Sequence, residues 1–412
     1  ILPTKISLSG KYRPFLLVSG MCSKRKITGY IRRRTMALLL LLLIITSCDK
    51  DDLPDPSSRT ILVYMAGDNN LSSEVRKKLR AIRAGWKECN DELLVYADVR
   101  RKGAVLMRMR GGGSTGGTQL DTLAVYGVEN SASAGVLSRV LNEVKTSYPA
   151  ASYGMIYFSH ASGWLPSGNL QNPLETRSFG IDNDTEARGS ETELSDFAGA
   201  IPDGSLDFIL FETCLTSGIE VAFALRNKAD YLLMSSAEIL SPGFNDTYRN
   251  HLMTLYNRSL TIRESLERFA EQHFSHTNTL DGAYRSATLS LIRTSEVEPL
   301  AALCREVLKS QPLNDTILDV TTIQQFDRPG AYHDRPAVVR YFDFGETIKR
   351  IASPEQYHLI EMQLAKTVVW KAATPYFMMS PLDSKNVYQG FEVKKHSGQH
   401  QRKPRGVGQN PL

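Results

Sequence analysis

The 412-residue sequence has no apolar run longer than the ten residues from Met36 to Ile45. A helix that crosses a bilayer needs about 20 such residues, so a polytopic membrane protein is excluded. No internal repeat is present. The hydrophobic fraction of 42% and charged fraction of 23% sit near globular averages, which argues against a disordered or collagen-like chain. No His/Asp/Glu cluster has the spacing of metal ligands, and His273 and His276 at i, i+3 read as part of a polar helix face, so metal-dependent hydrolysis is not expected. The glycine-rich stretch GGGSTGG at 111–117 lacks the Lys-Ser/Thr and the strand-to-helix context of a phosphate loop, and reads as a hairpin loop.

Acidic residues are missing from both ends. Residues 1–35 hold nine Lys or Arg and residues 394–412 hold five, with no Asp or Glu in either segment. The formal net charge of +5 therefore belongs to the ends, while the body between them carries 35 basic against 44 acidic residues. A net-acidic body argues against nucleic-acid binding.

Arg32, Arg33 and Arg34 precede the Met36–Ile45 run, and Thr46, Ser47 and Cys48 follow it. A basic region before a short apolar one makes residues 1–47 an export signal. Residues 1–35 are long for its first part, and Met21 and Met36 stand as alternative starts, so this stretch is expected to be over-extended. Ile45-Thr46-Ser47-Cys48 resembles a bacterial lipobox, which makes Cys48 the expected lipidation site. Two acyl chains and an amide-linked third anchor a protein stably where one does not. Residues 48–58, with Asp49, Asp51, Asp52, Pro54 and Pro56, read as a polar, extended tether. Acidic residues just after the Cys look like a sorting signal for the outer membrane or cell surface of a Gram-negative bacterium. The expected partners are that membrane, through the lipid, and a peptide or protein substrate.

From Thr60 onward apolar runs alternate with amphipathic stretches. Strands are expected at 61–67, 93–99, 153–160, 206–214 and 229–237, with helices near 71–86, 134–148, 193–201 and 217–227 between them. Strands separated by helices imply parallel pairing in an α/β sheet. After about 241 the pattern is mostly helical to 310, with a strand-like piece at 287–294. A helix is expected at 355–372, with strand-like pieces near 336–342 and 386–393. The domain expectation is a catalytic domain over 59–260 and a smaller α+β subdomain over 261–393. The tail 394–412 reads as a basic, disordered end or as the product of a frameshift.

Five cysteines occur; removing Cys22 with the signal and assigning Cys48 to lipid leaves Cys89, Cys214 and Cys304. An odd number leaves at least one free thiol in an exported protein. Two strands end in residues suited to nucleophilic chemistry, since His160 closes one and Cys214 the next. The carboxyl ends of parallel strands form the ligand crevice of an open sheet. A thiol at its free pKa is only a few per cent thiolate at neutral pH, and a nearby imidazole takes its proton or stabilises its anion. A buried structural Cys and a hydrogen-bonded His is the bland alternative.

The segments SHASGW (159–164) and FETCLTSGIE (211–220), with YMAGDNNL (64–71) and SSAEILSPGF (235–244), resemble the clostripain family of cysteine peptidases. The resemblance covers about residues 59–260. It implies a caspase-like three-layer α/β/α fold with a mostly parallel sheet, and peptide hydrolysis after Arg or Lys. By it, His160 and Cys214 form the catalytic dyad, and the backbone N–H groups of Ala161 and Cys214 hold the oxyanion. Ala161 stands where the family has Gly; it keeps the N–H donor, but its Cβ would strain a backbone that required positive φ. Glu212, Glu238 and Asp246 are the candidate carboxylates for a basic P1 side chain, and Asp68 is expected to order the loop after the first strand. Arg177 and Arg188, between the His and Cys motifs, are the expected processing sites. No cofactor is expected. The acidic run Asp182, Asp184, Glu186 is a Ca2+ candidate without the Gly and terminal Glu of an EF-hand loop, and reads rather as a solvated acidic loop. The rival to an active peptidase is a catalytically silent surface lipoprotein of the same fold that binds peptides or a partner.

Overall fold

The computed structural model describes residues 58–111, 117–165, 179–182, 190–310, 322–326, 341–377 and 380–381. The export signal, Cys48, Arg177, Asp184, Glu186, Arg188 and the tail 394–412 lie outside the described residues.

A sheet of nine strands carries the fold. In chain order they are β1 (Arg59–Gly67), β2 (Glu92–Val99), β3 (Gly103–Arg110), β4 (Gln119–Gly127), β5 (Ser152–Phe158), β8 (Leu206–Glu212), β9 (Ala229–Met234), β10 (Thr288–Arg293) and β11 (Val368–Ala373), while β6 (Phe179–Asp182) and β7 (Ser190–Thr192) form a separate hairpin. The spatial order is β11-β10-β9-β8-β5-β1-β2-β3-β4. Its centre, β9-β8-β5-β1-β2, is parallel throughout, as the strand–helix alternation requires. Antiparallel strands finish both edges: β3 and β4 form the expected hairpin on one side, β10 and β11 the other.

Alternation along β1 shows why the sheet is covered on both faces. Leu62, Tyr64 and Ala66 belong to one buried cluster and Ile61, Val63 and Met65 to another. The first is roofed by α2 (Ala134–Ser147), α3 (Leu194–Ala200), α4 (Ile219–Leu225), α7 (Val297–Ser310), α8 (Phe344–Ile351) and α9 (Pro354–Thr367). The second is covered by α1 (Ser72–Gly85), α5 (Asn245–His251) and α6 (Ile262–Asn278). Three layers, helix–sheet–helix, result. In the first cluster the Tyr64 ring stacks on those of Tyr96 and Tyr157, with centroids 4.5 and 5.7 Å apart.

Helix ends follow local chemistry. Ser133 caps α2 by accepting from the Val136 N–H, and Thr261 with Glu264 forms a reciprocal capping box at α6. The helix expected over 355–372 stops at Thr367, and Val368–Ala373 is instead the edge strand β11. The run Val-Val-Trp there favours a strand once β10 offers its open edge. His273, expected on a polar face, is buried, with Nδ1 3.2 Å from Thr247 Oγ1 and its ring against Phe244. Among the described residues no helix is long and apolar enough to cross a membrane.

Candidate active site

Strand register places His160 and Cys214 beyond the same end of neighbouring strands. β5 and β8 pair in parallel with Phe158 opposite Glu212. His160 and Cys214 each lie two residues beyond that pair, at the carboxyl end of adjacent strands. Both strands end at the paired residues, earlier than the expected 160 and 214. Leu215 shows why on the second strand: its φ of +55° turns the chain sharply, and its N–H donates to Ala237 O at 3.1 Å. Left-handed backbone is costly for a Leu and is held here by burial of its side chain.

The His and Cys loops interlock. Gly163 has φ +62°, and a Cβ on it would stand 2.1 Å from Leu215 O, so only glycine permits this approach. The Tyr341 hydroxyl donates to Ser162 O, and its ring meets Trp164 with centroids 5.8 Å apart. Cys214 packs against an apolar cluster of Leu165, Leu215, Ala237, Phe326, Tyr341 and Phe377.

Asn70, which follows β1, contributes a residue that sequence reasoning passed over. Its Oδ1 lies 2.5 Å from His160 Nε2. An amide oxygen only accepts, so the imidazole carries its proton on Nε2 and leaves a lone pair on Nδ1. Burial lowers the His160 pKa to about 4, which keeps the ring neutral at neutral pH. The segment after it is tied to β6: the Gly180 N–H donates to His160 O at 3.0 Å, and Ala161 bridges Phe179. Ala161 is fully buried without a positive φ, so its Cβ brings no backbone strain. Its N–H makes no hydrogen bond among the described residues.

Glu212, one of the candidate pocket carboxylates, sits in a buried polar cluster. It is 3% exposed and turned into the helical layer opposite Phe211. The Lys78 ammonium donates to its Oε1, the Phe244 N–H donates to Oε1 at 2.8 Å, and the Tyr248 hydroxyl donates to Oε2 at 2.8 Å. Gly243, at φ +60°, lets the chain close over it: a Cβ there would be 2.2 Å from Oε1. Lys78 also donates to Asn245 Oδ1 at 3.0 Å and lies 4.7 Å from the centroid of the Phe158 ring. Burial pushes the Lys78 pKa down, and the charge of Glu212 opposes that shift. Lys78 was legible in principle, since it shares the buried stripe of α1 with Val75, Ala81, Ile82 and Gly85.

The other carboxylates separate. Asp246 pairs with Arg249 and, at 3.3 Å, with His276 Nε2. Glu238 is half-buried and lines a pocket with Ser235, Ser286, Thr288, His276 and Tyr284. It adjoins Ala237, whose carbonyl holds the residue after Cys214. Asp182 is not solvated; it is fully buried and accepts from the Ser131 N–H at 3.0 Å. Of the other thiols, burial pushes Cys304 up to about 11, and Cys89 is exposed with its pKa also raised, chiefly by desolvation.

The model of the clostripain family matches residues 63–397. Among solved structures, an inactive zymogen C11 protease from Parabacteroides distasonis is 28% identical, with a TM-score of 0.68 over 83% of this chain and 92% of that one. A secreted C11 cysteine protease from Bacteroides thetaiotaomicron, in complex with an irreversible peptide inhibitor, is 26% identical, with a TM-score of 0.68 over 84% of this chain and 94% of that one. No curated protein matches the chain.

Lys78→Met is expected to lower unfolding free energy by about 3–5 kcal/mol, because it leaves a buried carboxylate unpaired. Lys78→Met with Glu212→Leu is expected to regain most of that loss. Urea unfolding of the three proteins measures both; a single mutant as stable as wild type would contradict the pairing.

Proposed function

Because this chain belongs to the clostripain family of cysteine peptidases, we propose that it cleaves peptide bonds through Cys214 and His160 while held at a membrane surface by lipid on Cys48. The carrying observation is the β5–β8 register, with Phe158 opposite Glu212 and one reactive residue two positions past each. In this mechanism Cys214 Sγ attacks the scissile carbonyl carbon as His160 Nδ1 takes the thiol proton. The C–N bond then breaks, the proton passes to the leaving amine, and a thioester remains. Water, deprotonated by the same imidazole, hydrolyses it and returns the thiol. The uncommitted Ala161 N–H and the Cys214 N–H hold the oxyanion. The hydrogen bond to Asn70 supports this division of labour, because it leaves Nδ1 unprotonated.

A basic P1 side chain needs a carboxylate partner out of bulk water. We assign that role to Glu238, which lines the pocket beside Ala237, the residue whose carbonyl holds the residue after Cys214. Arg177 and Arg188 are the processing sites in this account. The lipid on Cys48 anchors the enzyme at the outer membrane or cell surface of a Gram-negative bacterium, and the family supplies peptide or protein as substrate.

Fluorogenic peptides with Arg, Lys or neutral P1 residues, assayed under reducing conditions, test the account. Turnover is expected after Arg and Lys, to vanish in Cys214→Ala, and to fall about tenfold or more in Glu238→Gln for basic peptides. Cleavage confined to neutral P1 would remove the carboxylate pocket. No turnover by folded protein would favour the silent binding protein. Cys48→Ser is expected to move the exported protein from the detergent phase to the aqueous phase on Triton X-114 partition; an unchanged partition would remove the lipid anchor.

A further inference from the structure

One side chain from far along the sequence reaches the turn that follows His160. Tyr341 is buried, its hydroxyl donates to Ser162 O, and its ring meets Trp164. The same carbonyl accepts from the Leu165 N–H at 3.4 Å, so residues 162–165 close as a turn that the phenol holds from outside. The Tyr341 backbone is itself tied down. The Phe326 N–H donates to Tyr341 O at 3.0 Å, Phe342 bridges Gln325, and the Asp343 N–H donates to Gln324 O at 2.9 Å. Asp343 then caps α8 by accepting from the Glu346 N–H. A buried phenol needs a hydrogen-bond partner, and this backbone aims it at one carbonyl.

The 162–165 turn is where the His loop touches the Cys loop. Gly163 stands against Leu215 O, and the Tyr341 ring lies 3.6 Å from the place that a Gly163 Cβ would take. Leu215 is held from its other side, since its N–H donates to Ala237 O. Across the site the order is therefore Tyr341, the turn, Leu215 and Ala237, each touching the next. The two N–H groups assigned to the oxyanion sit one residue before this contact on either side: Ala161 precedes Ser162, and Cys214 precedes Leu215. With only two soft dihedrals per residue, a shift of the turn carries Ala161 with it and changes its spacing from Cys214.

We propose that Tyr341 is a positioning residue of the peptidase, whose hydroxyl, acting through Ser162 O, fixes the spacing of the Ala161 and Cys214 N–H groups. The proposal rests on the reading of Cys214 as nucleophile and of those two groups as the oxyanion hole. Charge appears on the carbonyl oxygen as the Sγ–C bond forms and leaves it as the C–N bond breaks, so the two donors stabilise the transition state and not the bound substrate. Tyr341 does not line the pocket that holds Glu238, so it bears on the rate of acyl transfer and not on substrate binding.

The test is Tyr341→Phe, which keeps the ring and removes only the hydroxyl. Its readouts on the full chain are hydrolysis of a peptide amide with Arg at P1, alkylation of Cys214 by iodoacetamide, and the melting temperature. Iodoacetamide is attacked at a saturated carbon: the S–C bond forms as iodide leaves and no oxyanion arises, so its rate reports the thiolate alone. Expected are a kcat lower by about tenfold or more with KM within about twofold of wild type. Alkylation of Cys214, with its pH dependence, is expected to stay within about twofold, and melting within about 3 °C, because one neutral hydrogen bond is lost. A merely structural role would slow both reactions together and lower the melting temperature. An unchanged kcat in Tyr341→Phe, or an equal fall in hydrolysis and alkylation, would overturn the proposal. Wild type that is alkylated at Cys214 and hydrolyses no peptide would overturn the peptidase reading and this one with it, whereas wild-type turnover that is indifferent to Tyr341→Phe overturns this one alone.

Discussion

The parallel pairing of β5 with β8 is the constraint on which the rest of the site depends. Phe158 and Glu212 are its last paired residues, and His160 and Cys214 follow with one residue between, just beyond the strand ends. A slip of one residue between the two strands would turn one set of side chains to the other face of the sheet and part the two. Lys78 guards this register from below: its ammonium sits over the Phe158 ring and pairs with Glu212, so one cation touches both members of the final pair. The pair also collects the Phe244 N–H and the Tyr248 hydroxyl, which ties α1 and α5 to the strand end before Cys214. Buried ion pairs are weak sources of net stability, yet removing one partner alone is costly, and this one lies at the last pair of the register.

The order of elements was legible because it follows from hydrophobic periodicity. Five apolar runs separated by amphipathic helices imply the parallel centre, and GGGSTGG implies the β3–β4 hairpin. The placement of His160 and Cys214 at neighbouring strand ends was legible because each follows such a run. Less visible was how side chains point once strands pair. Glu212 stands two residues before Cys214 in sequence, and only the folded chain shows that its partner is Lys78 of α1. Asn70 carries no signal of its own, since its role appears only when β1 and β5 are laid side by side. Thr367 illustrates a further limit: helical periodicity runs through 355–372, and only the open edge of β10 decides that 368–373 becomes a strand.

Two pools of buried charge flank the strand ends. On one side Glu212 is neutralised by Lys78; on the other Asp68, Asp98 and Asp182 crowd together under the turn that carries Asn70. Each pool reaches His160 or Cys214 through very few bonds. The site's geometry is thus set by electrostatics held out of water, where such interactions are strong and poorly screened. The neutral His160 belongs to the same pattern, since burial holds its proton affinity low.

The most direct measurement of the central claim is to ask which thiol reacts. The chain holds three free cysteines among the described residues, Cys89, Cys214 and Cys304. A peptidyl electrophile with Lys at its reactive end, followed by peptide mapping, distinguishes them. The account predicts stoichiometric labelling at Cys214, lost in His160→Ala, with Cys304 untouched and Cys89 labelled only slowly. Labelling of Cys89 ahead of Cys214, or labelling of Cys214 that is indifferent to His160, would contradict the pairing of these two residues as the catalytic unit.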